Sequence, residues 1–354
     1  MRKAIRAAAA AALTLSLFHV PTAAAAEVGK VRTDEICFTV HNPGDANERA
    51  LYGVRYWTKK PTTKTRTILL VHGATPAHEY WDLRPDFSVA RNLARAGYQV
   101  VAYDRLGYGR SPYHRKNGGH LITTPGDIEM THDVVGQLRE GSYTAAGKSG
   151  CDVERPGARV GPATTSVILA GNSLGGAIVT GYPGRYHDVD AAIPIGWAGN
   201  GISPDYLEVS GPRIVEAYAA GRDYVRLQPD EASCAEVFLY KPGLEPSVAD
   251  VCRDGFPAAP IGEIASLPQT YPLLAASIAQ VGPGIPILLV YADHDEPFPK
   301  ANTDLEYAYW QQFCGCDVET WTQKDAGHAP AAHRTMPTFT AKVVDWLAAK
   351  NLKS

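Results

Sequence analysis

Ser166-Val167-Ile168-Leu169-Ala170-Gly171-Asn172-Ser173-Leu174-Gly175-Gly176-Ala177-Ile178-Val179 is the stretch on which the fold turns. Ser166 to Ala170 is a short apolar run rich in β-branched residues, and Leu174 to Tyr182 carries a helical pattern. Between them lies Gly171-Asn172-Ser173-Leu174-Gly175, a Gly-x-Ser-x-Gly pentapeptide. Chance alone produces that pattern readily, so its setting decides: a strand runs directly into it and a helix runs directly out. The glycines have a steric reason, since a turn this tight leaves no room for side chains beside a serine whose Oγ must project above the sheet edge. The plain alternative is a serine N-cap on a helix that happens to follow a strand.

Working outward, similar apolar runs occur at Thr67 to Val71, Tyr98 to Tyr103, Ala191 to Ile195, Pro286 to Tyr291 and Asp317 to Trp321. Most are apolar throughout, as strands covered on both faces must be. Helical patterns lie between them at Asp86 to Ala96, Ile128 to Leu138, Leu305 to Phe313 and Pro337 to Lys350. Strand and helix alternate, which predicts a mostly parallel sheet in an α/β domain. Two weaker runs, Ile36 to Val40 and Leu51 to Trp57, read as an antiparallel hairpin opening the sheet. The alternation stops between Gly196 and Gly284, a stretch with Tyr206, Tyr218, Tyr224, Phe238, Tyr240, Phe256 and Tyr271. The expected organisation is therefore a core of 27–196 plus 285–354 with an inserted cap at 197–284. Gly141 to Pro162 reads as a long surface loop.

Two further motifs stand at strand ends: Leu70-Val71-His72-Gly73-Ala74-Thr75, and Tyr103-Asp104-Arg105-Leu106-Gly107-Tyr108-Gly109-Arg110-Ser111. With these and the Ser173 pentapeptide the chain resembles the α/β-hydrolase superfamily from about Thr67 to His328, the cap excepted. The resemblance implies an eight-stranded, mostly parallel sheet with helices on both faces, and a triad in chain order nucleophile, acid, histidine. Ser173 is then the nucleophile, and the backbone N–H groups of Ala74 and Leu174 form the oxyanion hole. His72 is expected to order its loop, and Asp104 to Ser111 to serve as a turn scaffold.

The acid should follow the strand ending at Tyr291, where Ala292-Asp293-His294-Asp295-Glu296-Pro297-Phe298-Pro299 offers competing carboxylates. The superfamily pattern sets the acid about four residues before a proline, which Asp295 matches; Asp293 is the competing choice, with turn capping as its ordinary role. Gly327-His328 follows the last strand and supplies the histidine, with His333 as the fallback. A serine is too weak a nucleophile at its free pKa, so His328 must remove its proton while Asp295 fixes the imidazole tautomer.

Composition bounds the rest. The chain has 354 residues, 45% apolar and 20% charged, which is globular and excludes wholesale disorder. Met1 to Arg6 is basic, Ala7 to Phe18 is apolar, and an Ala-x-Ala exit follows, the pattern of a secretory signal peptide at 1–26 cleaved after Ala26. No cysteine follows to carry a lipid, so a secreted protein without a membrane anchor is expected. Three of the 34 basic residues lie in that leader, so the mature formal charge moves from −3 to −6. That argues against nucleic-acid or anionic-membrane partners. Six cysteines in an exported chain suggest disulfides. Their pairing is open: Cys234 with Cys252 closes a local loop, Cys314 with Cys316 would be strained, and Cys37 with Cys151 follows only by elimination. A metal at Cys314-Gly315-Cys316 is the alternative, without a second ligand pair to complete it.

The expected function is a secreted serine hydrolase of a small carboxylic ester or lactone. Amide hydrolysis, perhydrolysis and C–C hydrolysis share the same triad. A catalytically silent binding protein is the reading from another class, separable by reaction with a fluorophosphonate. Ser173 at the elbow excludes the aspartate-based dehalogenase and epoxide hydrolase chemistries of the superfamily. No Gly-x-Gly-x-x-Gly opening a helix, Walker motif or His-Glu-x-x-His is present, so neither cofactor nor metal is expected.

Overall fold

The computed structural model describes residues 29–74, 77–113, 116–252 and 259–354. The leader expected at 1–26, with Thr75 and Phe256, lies outside them. In chain order the strands are β1 (Arg32–His41), β2 (Glu48–Trp57), β3 (Thr67–Val71), β4 (Gln99–Tyr103), β5 (Thr144–Ala145), β6 (Val167–Asn172) and β7 (Ala191–Ile195), then β8 (Tyr224–Val225), β9 (Ala259–Pro260), β10 (Ile287–His294) and β11 (Val318–Gly327).

Nine of them form one sheet, ordered β11-β10-β7-β6-β3-β4-β2-β1-β5. The pairings from β4 through β11 are parallel, and β2, β1 and β5 continue the sheet antiparallel. The resemblance implies eight strands; the ninth is β5, a two-residue edge strand within the Gly141 to Pro162 loop. So short a segment has no side-chain period to reveal it. A disulfide between Cys37 on β1 and Cys151 holds this loop against the edge.

Side chains alternate between the two faces as strand geometry requires. Leu69 and Val71 of β3 pack with Ile128 and Val134 of the helix Thr124–Glu140 and with Ile178 of the helix Leu174–Gly181. Ile68 and Leu70 pack on the opposite face with Leu93 of Val89–Arg95 and with Phe339 and Trp346 of Met336–Ala349. Both faces of β3 are covered, which is why its five residues are all buried.

The stretch 197–284 contains the helices Pro204–Ala219, Glu231–Phe238, Ile261–Ala265 and Leu267–Ile278 and the small antiparallel pair β8-β9. The last of these helices lies directly on the helix after Ser173: a Cβ on Gly181 would meet Leu274 Cδ2 at 2.8 Å. Cys234 and Cys252 are bonded, as are Cys314 and Cys316. Gly315 between the latter two takes φ +58, a left-handed turn that brings their Cα atoms to 5.0 Å. Among the described residues no helix is long and apolar enough to cross a membrane.

Candidate active site

The strand order reverses beside β3: the next strand, β4, lies on one side of it and β6 on the other. In open α/β sheets a crevice forms at the carboxyl ends of the strands at such a point, and Ser173 stands there. Its backbone is held at φ 58, ψ −122, outside the ordinary regions for a residue with a side chain. Holding one residue so costs about 1–3 kcal/mol, and the surroundings impose it. Ser173 N–H donates to Ile195 O at 2.8 Å, fixing the turn to the end of β7. A Cβ at Gly175 would sit 2.2 Å from Val71 O, and one at Gly171 would sit 2.3 Å from Gly175 O. Gly175 is therefore required for the close approach of this turn to β3, and Gly171 for the close approach of the helix to the strand that precedes it.

His328 Nε2 is 2.8 Å from Ser173 Oγ. On the far side of the ring, Nδ1 lies 3.1 and 3.0 Å from the two oxygens of Asp295. Both His328 and Asp295 are buried, whereas Ser173 is partly open to solvent. A carboxylate facing Nδ1 can only accept, so the imidazole carries its proton there and Nε2 is left to accept from the serine hydroxyl. Phe298 N–H donates to Asp295 Oδ1 at 2.9 Å, a local turn that orients the carboxylate.

Asp293 is not part of this cluster. It sits where the β10–β11 register shifts, and its Oδ1 accepts from Ala326 N–H at 3.2 Å. That bond joins β10 to β11 and is not the local turn cap expected of Asp293. His333 is likewise elsewhere. Its Nε2 accepts from Tyr240 N–H and Gly327 N–H at 2.9 and 3.0 Å, and Nδ1 donates to Ala329 O at 2.9 Å. Burial holds its pKa down to about 4, so it is a neutral fastener for the loop that carries His328.

His72 plays a comparable part beneath the other turn. Its Nε2 accepts from Arg105 N–H at 3.0 Å while Nδ1 donates to Gly73 O at 2.8 Å. Burial and the Arg105 charge push its pKa well below the ordinary imidazole value. Ala74 and Leu174 both line the pocket around Ser173, and neither backbone N–H donates to a protein acceptor among the described residues. Asp104 accepts from the backbone N–H groups of His78 and Arg110 at 2.7 and 2.8 Å, a turn scaffold as expected.

Arg105 is wholly buried. It donates to His72 O at 3.1 Å and Gly73 O at 2.9 Å, and also to Asp127 at 2.8 Å and Glu263 at 2.6 Å. Sequence reasoning assigned Arg105 only to a turn. Its buried acids come from Thr124–Glu140 and Ile261–Ala265, far apart in the chain, so no local pattern announces them. Asn172 was also passed over as the variable position of the motif. Its side chain donates to Ile195 O and His328 O, each at 3.3 Å, tying the serine strand to the histidine loop.

The pocket over Ser173 is lined by Trp197, Tyr206, Phe238, Ile264, Leu267 and Phe298. Tyr206 and Phe238 come from the aromatic-rich stretch, whose remaining aromatics divide between other duties: Tyr218 is exposed and Tyr240 stacks on His294 at 3.6 Å. As to metal, His78, Glu79 and Asp104 bring three ligand-type atoms within 4.8 Å of one another. His78 Nδ1 and Asp104 Oδ1 already bond each other at 2.7 Å, and Glu79 is exposed.

A strand–turn–helix elbow carrying Ser173 at the switch point of a mixed sheet, with an imidazole and a carboxylate behind it, is the arrangement of the α/β-hydrolase architecture. The sequence profile of the alpha/beta hydrolase family matches residues 68–343, and the chain belongs to that family. It is 27% identical over 268 residues to a monoacylglycerol lipase of Mycolicibacterium smegmatis, spanning 74% of this chain and 80% of that protein. Among solved structures, a thermophilic esterase from Thermogutta terrifontis superposes with TM-score 0.58 at 16% identity, over 89% of this chain and 98% of that one. A monoacylglycerol lipase from Paleococcus ferrophilus does so with TM-score 0.56 at 18% identity, over 85% and 99%. At those identities the structural likeness establishes the fold.

Proposed function

We propose that this chain is a serine hydrolase of carboxylic esters or lactones, acting through an acyl-enzyme on Ser173. The observation that carries the reading is the continuous relay from Ser173 Oγ through His328 to Asp295. Ser173 attacks the ester carbonyl as its proton passes to His328 Nε2, and Asp295 stabilises the imidazolium that forms. The carbonyl oxygen, now negative, is received by the N–H groups of Ala74 and Leu174. Two donors fixed in advance stabilise that charge by several kcal/mol, because they need no reorganisation when it appears. His328 then protonates the leaving alcohol, and water repeats the sequence to release the acid.

Similarity to a monoacylglycerol lipase and to esterases supports ester bonds over amides. The apolar lining of the pocket supports an uncharged acyl or alcohol group. Residues 197–284 serve as a cap over the core of 27–196 and 285–354, supplying Tyr206, Phe238, Ile264 and Leu267 to the wall above Ser173. The protein works outside the cytoplasm after loss of residues 1–26, a setting in which its three disulfides persist. The test is hydrolysis of a panel of aryl and alkyl esters, lactones and amides by the wild type and Ser173→Ala. Ester turnover lost in the variant supports the reading; turnover within tenfold of wild type overturns it.

A further inference from the structure

The cavity over Ser173 measures only about 40 Å³. One ordered water needs roughly 10–15 Å³ of such space, so the cavity holds about three groups of that size, a short acyl chain at most. A second cavity of about 360 Å³ lies beyond it, lined by Tyr271, Leu274, Ala275, Ile278, Leu305 and Tyr309, with Glu306 at its edge. The two share one wall. Leu267 lines the first, and Tyr271, Leu274, Ala275 and Ile278 line the second, so they follow one another along a single face of the helix Leu267–Ile278.

Trp197 lines the first and packs against Tyr271, which lines the second. Its ring lies 5.2 Å from that of Phe298 in the first cavity, and it stacks on Tyr271 of the second at 6.1 Å. The indole is buried, and among the described residues its Nε1–H meets no acceptor, as is also true of Trp81 and Trp346. A buried Trp ordinarily finds one. Among the described residues the ring is held by packing against Phe298 and Tyr271. Glu306 does not claim the second cavity for a charged ligand, because its two oxygens already accept from Gly199 N–H at 2.8 Å and Trp310 Nε1–H at 2.9 Å. What remains is mainly apolar and long enough for an alkyl tail.

Resting on the reading of Ser173 as the nucleophile, we propose that the second cavity is a subsite for the alkyl tail of the acyl group, closed off by Trp197. The tail of an octanoyl or decanoyl ester would run from Ser173 past position 197 along the Leu267–Ile278 face. With Trp197 in the observed position the protein is confined to short acyl groups, and moving or removing that ring extends the substrate class to medium chains.

The test uses the full-length secreted protein, ethanoyl to decanoyl aryl esters, and alkyl fluorophosphonates of matching lengths that report on Ser173 without needing turnover. Trp197→Leu and Trp197→Ala should raise kcat/KM for the decanoyl ester relative to the butanoyl ester by at least about tenfold, since each methylene seated in an apolar pocket is worth that order of discrimination. Trp197→Leu guards against collapse of the larger void. Ala275→Phe, which fills the second cavity from the partly buried face of its helix, should abolish the gain in the Trp197 background. No gain on opening position 197, or a gain that survives Ala275→Phe, overturns the subsite while short-chain labelling at Ser173 preserves the enzymatic reading. Loss of all labelling of the wild type at Ser173 would instead overturn both.

Discussion

Arg105 reaches up from below the turn that carries Ala74 and donates Nη2–H to the Gly73 carbonyl at 2.9 Å. The same guanidinium holds Glu263, whose helix bears Ile264 on the pocket wall, so one buried cation ties the Gly73–Ala74 turn to the helix Ile261–Ala265. Asp127 faces it too, but burial and the neighbouring Glu263 push its carboxyl well above the usual range. That shift favours the neutral form of Asp127, although both acids stand at ion-pair distance from Arg105.

Two acids facing one cation predict non-additive stability. In Glu263→Gln, Asp127 carries the charge opposite Arg105, so the loss should be about 1 kcal/mol, and Asp127→Asn alone should cost about as little. The double variant leaves Arg105 buried and unpaired, which costs roughly 3–5 kcal/mol. Urea unfolding of the four proteins measures the coupling; simple additivity would refute it.

The two competing acids separate kinetically. Asp295→Asn should lower kcat by roughly three to four orders of magnitude, because an amide facing Nδ1 admits the wrong tautomer of His328. Asp293→Asn, which keeps an acceptor for Ala326 N–H, should change kcat by less than about tenfold. The reverse order in steady-state kinetics would transfer the role to Asp293.

Acid should destabilise the fold through His333 before the carboxylates are lost. Its folded pKa is depressed to about 4 while the unfolded chain titrates near 6.5. Between those values the unfolded state binds the extra proton, so stability falls as pH drops, by up to the order of 3 kcal/mol. His72, also held neutral by burial, acts in the same direction. The urea midpoint should therefore decline from pH 6.5 to 4, and decline less steeply in His333→Gln. An equal slope in both would remove His333 from the account.

The bond between Cys234 and Cys252 fixes the helix Glu231–Phe238, whose Phe238 ring lies 5.4 Å from that of His328. A closed loop of this size restrains the unfolded chain by roughly 3 kcal/mol. Replacing both cysteines with serine should lower Tm and alter acyl preference while Ser173 stays reactive to a small fluorophosphonate. Free thiols at both positions in the purified protein, or unchanged Tm and preference, would contradict it.

What the sequence made legible follows from where each signal resides. β3 and β7 were readable to the residue because they are buried on both faces and end in turn residues. β10 and β11 run further than their apolar runs, to His294 and Gly327, since backbone pairing continues after the side chains turn polar. Ser173, Asp295 and His328 could be singled out in the sequence because each stands at a strand end beside a recognisable turn. Trp197 and Phe298 carry no such mark. Their importance comes from meeting each other and Tyr271 across three elements, a relation that no local pattern encodes.

The central claim is that Ser173 is acylated during turnover. Acid-quenching the protein during hydrolysis of an aryl butanoate, followed by proteolysis and mass spectrometry, reads this directly. One butanoyl group on the peptide containing Ser173, absent from Ser173→Ala, is the expected result. Steady turnover with that peptide unmodified and undiminished hydrolysis in Ser173→Ala would contradict the account.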